Sequence, residues 1–121
     1  MKLIRAIIRP ECEERVIRAL EQQGIHAFTK VPVTGRGRQG GAQVGGLHVT
    51  ELAKIMLLLV VDDAQVDATM ATVAREARTG FPGDGRLFVS PVERAVRLRT
   101  GEIDDGGVLV TGGTSRVGGV S

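Results

Sequence analysis

Residues 54–62 read KIMLLLVVD, the most apolar run in a chain of 121 residues. Every position from 55 to 61 is apolar. A strand with one wet face alternates polar and apolar residues, so a run without alternation reads as a strand buried on both faces. Helices of the same chain can cover one of those faces. What covers the other decides both fold and assembly, and the rest of the chain is read outward from this strand.

Upstream, residues 34–54 read TGRGRQGGAQVGGLHVTELAK, with six glycines and the arginines Arg36 and Arg38. Glycines permit close backbone approach and can hold N–H groups against an anion, and guanidinium forks suit phosphate. A flexible linker would share this composition; a stretch this long between strands is otherwise a functional loop. Before it, residues 25–34 (IHAFTKVPVT) predict a strand in which Pro32 marks an edge or a bulge. Residues 11–23 place Cys12, Val16, Ala19 and Leu20 at helical spacing, and Gly24 ends that helix. Residues 2–8 (KLIRAII) predict the first strand, closed by Pro10.

Downstream, Asp62 and Asp63 are natural N-caps. Residues 64–79 carry Val66, Met70, Val73, Ala74 and Ala77 along one helical face, stopped by Gly80. A turn of Phe81, Pro82, Gly83, Asp84 and Gly85 follows, with Asp84 read as a turn former. Residues 86–92 predict a fourth strand and 94–99 a further short one. A Gly- and Ser-rich tail, GEIDDGGVLVTGGTSRVGGVS, runs from Gly101 and holds one short strand at 108–111.

The order is βαββαβ, the ferredoxin-like α+β arrangement. Its two helices cover one face of the sheet, and the pattern holds no third. The direct inference is that another copy of the chain covers the second face, giving a homo-oligomer; the alternative is the tail folding back. Residues 1–100 are expected to form this domain and 101–121 the tail.

Composition narrows the function. Net charge is +2, too small for a dedicated nucleic-acid surface, and aromatics at 2% leave the first and third strands without stacking residues for RNA. Cys12 is the sole cysteine, which excludes an internal disulfide and a cysteine-rich zinc site and fits a reducing compartment. It reads as a small buried hydrophobe. His26 and His48 are too far apart to form a ligand set. The N-terminal segment lacks a signal-peptide pattern and no run is long enough to cross a membrane, so a cytoplasmic location is expected. The chain lacks GxxxxGK[ST] and is not a P-loop NTPase.

Four separated pieces then align: TGRGRQGG at Thr34, VVDD at Val60, ARTGFPGDGRLFVSPVE at Ala77 and RLRTGE at Arg97. As an ordered set they resemble the PII nitrogen-signalling proteins over residues 2–102. The resemblance implies a homotrimer with ATP or ADP held between subunits and 2-oxoglutarate bound beside ATP through Mg²⁺. It also implies that a large loop after the second strand, the T-loop at 36–53, engages a target protein. Ile7, Thr29, Gly35, Gly37, Arg38, Gln39, Val60, Gly83, Asp84, Gly85, Arg86, Arg97 and Arg99 match nucleotide-binding positions. Thr29 and Val60 among them line the adenine pocket. Gln39 matches the Mg²⁺ and 2-oxoglutarate position and Lys54 the lysine that pairs with a 2-oxoglutarate carboxylate. On residues alone, each arginine could be a solvated charge and Lys54 an edge-strand charge. Arg97 and Arg99, at i, i+2 on a strand, would point to one side.

The chain holds no tyrosine. The tyrosine uridylylated in the best-known PII branch is therefore missing, and the loop is a few residues shorter than is usual there. GRGRQGGAQVGGLHVTEL is instead similar to the nitrogenase-associated NifI-type branch, which shares a GRGKQ-G-QVG pattern; Leu47 and His48 stand where that branch has aromatics. The implied function is a non-enzymatic sensor of nitrogen and energy status that controls nitrogenase or another nitrogen-pathway protein. The alternatives are a regulator of an ammonium transporter, against which the shorter loop argues, and a slow ATPase using His48 or Glu51. No nucleic acid and no membrane insertion are expected.

Overall fold

The computed structural model describes residues 1–36, 42–44, 47–49 and 51–104, the two short segments by backbone alone. Met1–Pro91 form one compact unit and the chain from Val92 a second. In the first, β1 (Lys2–Ile8), α1 (Glu13–Gln22), β2 (Thr29–Gly35), β3 (Ala42–Val44), β4 (Leu47–Val49), β5 (Leu52–Val61), α2 (Val66–Ala77) and β6 (Gly85–Pro91) follow in order. The main sheet is antiparallel in the spatial order β2-β5-β1-β6, the ferredoxin-like α+β arrangement expected from the sequence. β3 and β4 pair with each other inside the expected loop.

The apolar run occupies an interior strand. Leu57, Leu59 and Val61 enter one core with Ile4, Ala6 and Ile8 of β1, Val16 and Leu20 of α1, and Val73 and Ala77 of α2. Both helices therefore cover the same face. Alternation sends Met56, Leu58 and Val60 to the opposite face. There they sit in register beside Ile7, Arg5 and Leu3 of β1, with Val31 and Thr29 of β2 on the other flank. Val60 is 52% exposed and Phe88, opposite Arg5, 44%. The expected apolar face opposite the helices is present, and among the described residues of this unit no helix covers it.

Several sequence-based boundaries shift, each for a local reason. The first helix opens as a 3₁₀ turn, Pro10–Cys12, before α1. The second strand begins at Thr29, because Ile25 N–H caps α1 by donating to Leu20 O at 3.0 Å and so leaves the ladder. Pro32 lies on an edge strand, as read. Asp62 is the cap and its N–H donates to Gln65 Oε1 at 3.2 Å, whereas Asp63 lies inside the 3₁₀ turn Asp63–Gln65 and is not a cap. The second helix stops at Ala77, before Gly80, because the N–H groups of Thr79 and Gly80 are drawn to the Asp84 carboxylate at 2.8 and 2.9 Å. Its buried face holds Thr69 and Thr72 beside Val73 and Ala77, while Ala74 is exposed. Thr69 Oγ1 donates to Gln65 O at 2.7 Å and Thr72 Oγ1 accepts from Gln23 Nε2, so both hydroxyls can be buried.

In the second unit the expected strand at 94–99 is a single bridge, Val96 to Ile103. Thr100 and Gly101 N–H fold back to Arg97 O at 3.3 and 2.7 Å, and Gly101 closes the turn at φ 76°. Arg99 sits in that turn, so Arg97 and Arg99 do not project from one strand face. The expected strand at 108–111 lies outside the described residues.

Candidate functional site

Four chain segments meet at one end of the sheet. β1 leaves at Ile8, β2 leaves at Gly35, and β5 and β6 enter at Leu52 and Gly85. Between them opens a cleft of about 430 Å³, within the range of small-ligand sites. Ile7, Gly35, Arg36, Lys54, Phe81, Gly83, Asp84, Gly85, Arg86 and Phe88 line it.

The turn from α2 to β6 forms one wall, and its wiring is internal. Asp84 Oδ2 accepts from Thr79 N at 2.8 Å and Gly80 N at 2.9 Å, and Oδ1 accepts from Thr79 Oγ1 and from Arg9 Nε at 3.0 Å. These bonds, the Thr79 hydroxyl foremost, hold the Asp84 carboxyl well below the usual carboxylate range. Asp84 therefore serves the turn through its side chain, as a turn former. Phe81 N–H donates to Thr79 Oγ1 at 3.2 Å. The N–H groups of Gly83 and Asp84 have no acceptor among the described residues. Gly85 brings the turn against β1: at φ 111°, a Cβ there would stand 1.8 Å from Ile7 O.

Lys54 lies on interior strand β5, not on an edge, and is 7% exposed. Its ammonium donates to Gly83 O. Burial first, then the neighbouring Arg9 guanidinium, lowers the Lys54 pKa, opposed by Asp84, Glu11 and Cys12. Arg9 Nη2 donates to Pro82 O at 2.7 Å. Exposed Arg36 and Arg86 complete a cationic lining that suits an anion of several charges.

Residues 1–102 match the family model described as "Nitrogen regulatory protein P-II". The chain belongs to the P-II family. It is 49% identical over 102 residues to "Nitrogen fixation nifHD1 region GlnB-like protein 1" of Methanosarcina barkeri, covering 84% of this chain and 97% of that protein. It is 46% identical, with the same coverage, to "Nitrogen fixation nifHD region GlnB-like protein 1" of Methanothermobacter marburgensis. It is 44% identical to "Nitrogen regulatory protein P-II 2" of Methanothermobacter thermautotrophicus, over 84% of this chain and 92% of that one. The resemblance to the nitrogenase-associated, NifI-type branch holds on these relatives, and the chain is a nitrogen regulatory protein of P-II type.

In this P-II chain the cleft gathers Ile7, Gly35, Lys54, Gly83, Asp84, Gly85 and Arg86 from the residues singled out in the sequence. Thr29 and Val60 lie elsewhere on the open face. Val60 is six residues from Lys54 along β5, about 20 Å at strand rise. Gly37, Arg38 and Gln39 lie outside the described residues, and Arg97 and Arg99 belong to the second unit. Local pattern missed Arg9, whose partners are 73 and 75 residues away, and Phe81, 72% exposed at the tip of the turn. An exposed phenylalanine beside Gly-Asp-Gly was the available signal for the latter. Among the described residues no helix is long and apolar enough to cross a membrane, and no cluster of three His, Cys, Asp or Glu side chains could hold a metal ion.

Proposed function

We propose that this P-II chain is a trimeric, non-enzymatic sensor in which ATP and ADP compete for the cleft. In this reading 2-oxoglutarate binds beside Mg·ATP, and the regulatory loop at 36–53 engages nitrogenase or another nitrogen-pathway protein in the cytoplasm. The observation that carries the reading is the cleft itself: the N–H groups of Gly83 and Asp84, which have no acceptor among the described residues, belong to residues that line it together with Lys54, Arg36 and Arg86. That donor set fits a polyphosphate. Bound nucleotide supplies the anionic tail, with Mg²⁺ neutralising part of its charge.

The roles of this chain's residues follow from their chemistry. Gly83, Asp84 and Gly85 offer backbone donors, and Arg86 and Arg38 offer guanidinium forks. Lys54 is the carboxylate partner for the effector and Gln39 its polar neighbour. Ile7 lines the cleft, and Thr29 and Val60 supply hydroxyl and apolar contacts for the base. Gly35 and Gly37 let the loop base approach the phosphates, and Arg97 and Arg99 are further guanidinium partners for them. An effector shifts the loop only by binding its two conformations unequally.

Calorimetry with ATP, ADP, and Mg·ATP plus 2-oxoglutarate tests the reading. Both nucleotides are expected to bind, with 2-oxoglutarate binding only alongside Mg·ATP and losing that synergy in Lys54→Ala. No heat with any nucleotide overturns it.

A further inference from the structure

Two cations grip consecutive carbonyls of the turn. Arg9 Nη2 donates to Pro82 O at 2.7 Å, and Lys54 Nζ donates to Gly83 O. Both cations converge on Gly83: a Cβ built there would stand 3.5 Å from Arg9 Nη2 and 3.5 Å from Lys54 Nζ. The peptide group that carries Pro82 C=O ends in Gly83 N–H, and the one that carries Gly83 C=O ends in Asp84 N–H. These are the two N–H groups of the turn that have no acceptor among the described residues. A cation at the carbonyl end of a peptide draws electron density away from its N–H and makes that donor stronger. Arg9 also ties the turn through its Nε bond to Asp84 Oδ1 at 3.0 Å, so the donors are held in place as well as polarised.

We propose that Arg9 is a positioning residue of the anion site, acting through the turn: with Lys54 it polarises Gly83 and Asp84 N–H toward a phosphate or carboxylate oxyanion. The inference rests on the reading of the cleft as a nucleotide site and adds a residue that never needs to touch the ligand. It also gives Lys54 a second role. The ammonium that faces the effector holds the phosphate turn by the same proton donors, so effector and nucleotide are coupled through one carbonyl.

The pH dependence separates this role from simple scaffolding. The charged and titratable groups facing Lys54 are Arg9 from the end of β1, Glu11 and Cys12 from the 3₁₀ turn, and Asp84 from the turn before β6. The Arg9 charge lowers the Lys54 pKa. Removing that charge raises it, so the alkaline loss of anion affinity moves to higher pH.

The test is calorimetry of the full chain with ATP, with tripolyphosphate and with adenosine, from neutral pH into the alkaline range. Arg9→Met is expected to weaken ATP and tripolyphosphate about 5- to 10-fold, the scale of one ordinary hydrogen bond, and to leave adenosine unchanged. Its alkaline limb should lie above that of the wild type. Arg9→Lys, which keeps a charge and a donor for Pro82 O, should recover most of the loss and leave the limb in place. Equal weakening of adenosine and ATP, or unchanged phosphate affinity, overturns the proposal. Wild-type protein that binds no nucleotide would instead overturn the reading on which it rests. Amide NMR of the wild type provides the same decision without a variant: deprotonating Lys54 must move the Asp84 N–H resonance upfield, and an unmoved resonance overturns the polarisation.

Discussion

At the scale of single residues, this chain is organised by close backbone approach and one carboxylate. Gly85 has φ 111°, and a Cβ would sit 1.8 Å from Ile7 O, so Gly85→Ala must push β6 off β1 or deform the turn. Gly24, at φ 84°, has nothing within 4 Å of its virtual Cβ. Gly24→Ala should cost about 1–2 kcal/mol from backbone strain alone, and Gly85→Ala about 2 kcal/mol more, the scale of a large steric defect. Urea unfolding of the two variants checks the contrast, and equal losses would contradict it. Asp84 sets the acid limit of the same turn. Its folded pKa is depressed, so its stabilisation is complete above the ordinary carboxylate pKa, about 4, and drains away as pH falls toward the folded value. Asp84→Asn should be less stable than wild type at neutral pH and should lose less on acidification below about pH 5. Parallel pH–stability curves for the two proteins would refute that assignment. Neither effect is readable from a string of letters alone. Gly-Asp-Gly announces a turn, but Arg9, a partner that makes Asp84 a half-buried junction, is 75 positions away.

At the scale of elements, legibility follows from how local each signal is. The four main strands and both helices appear in the sequence, because period and punctuation are properties of neighbouring residues. The ends of elements do not, because they are settled by distant acceptors: Asp84 strips Thr79 and Gly80 from the second helix, and Leu20 O takes Ile25 from the second strand. Lys54 illustrates the same limit at the site. Its letter at a strand start suggested an exposed edge charge, and only the resemblance to PII proteins gave it a ligand role; the strand order buries it. The buried face of α2 was misjudged where threonines replace hydrophobes, since composition does not reveal that a hydroxyl has a partner. Gln23 Nε2 donates to Thr72 Oγ1 and joins the end of α1 to the middle of α2. Thr72→Val should therefore cost about 1 kcal/mol despite its added apolar character. A double-mutant cycle with Gln23→Ala should return a coupling of about 0.5–1.5 kcal/mol. Additive losses would mean that the two helices are held by packing alone.

At the scale of the whole molecule, the uncovered sheet face is the feature that asks for another chain. Met56, Leu58 and Val60 of the interior strand lie there in register with Ile7, Arg5 and Leu3. A second copy is the economical cover, because each copy presents the same surface. The face also carries Thr29 and Val60, which stand apart from the cleft at Lys54, about 20 Å along β5 in the case of Val60. One chain therefore separates Thr29 and Val60, proposed for the base, from the residues proposed for the phosphates. Packing of copies across the open face would bring one set beside the other, so assembly and nucleotide affinity should stand or fall together. Leu58→Lys tests this. Leu58 is half-buried on the open face and makes no part of the helix-covered core, so the variant should keep its far-ultraviolet circular dichroism. An ammonium enclosed at an apolar interface costs several kcal/mol unless paired, and Arg5, in register with it on β1, repels it. Sedimentation velocity should then show wild-type trimer and variant monomer, and calorimetry should show ATP affinity lost with the trimer. A monomeric variant that binds ATP as tightly as the wild type would place the whole nucleotide site within a single chain and defeat the proposal of a site between subunits.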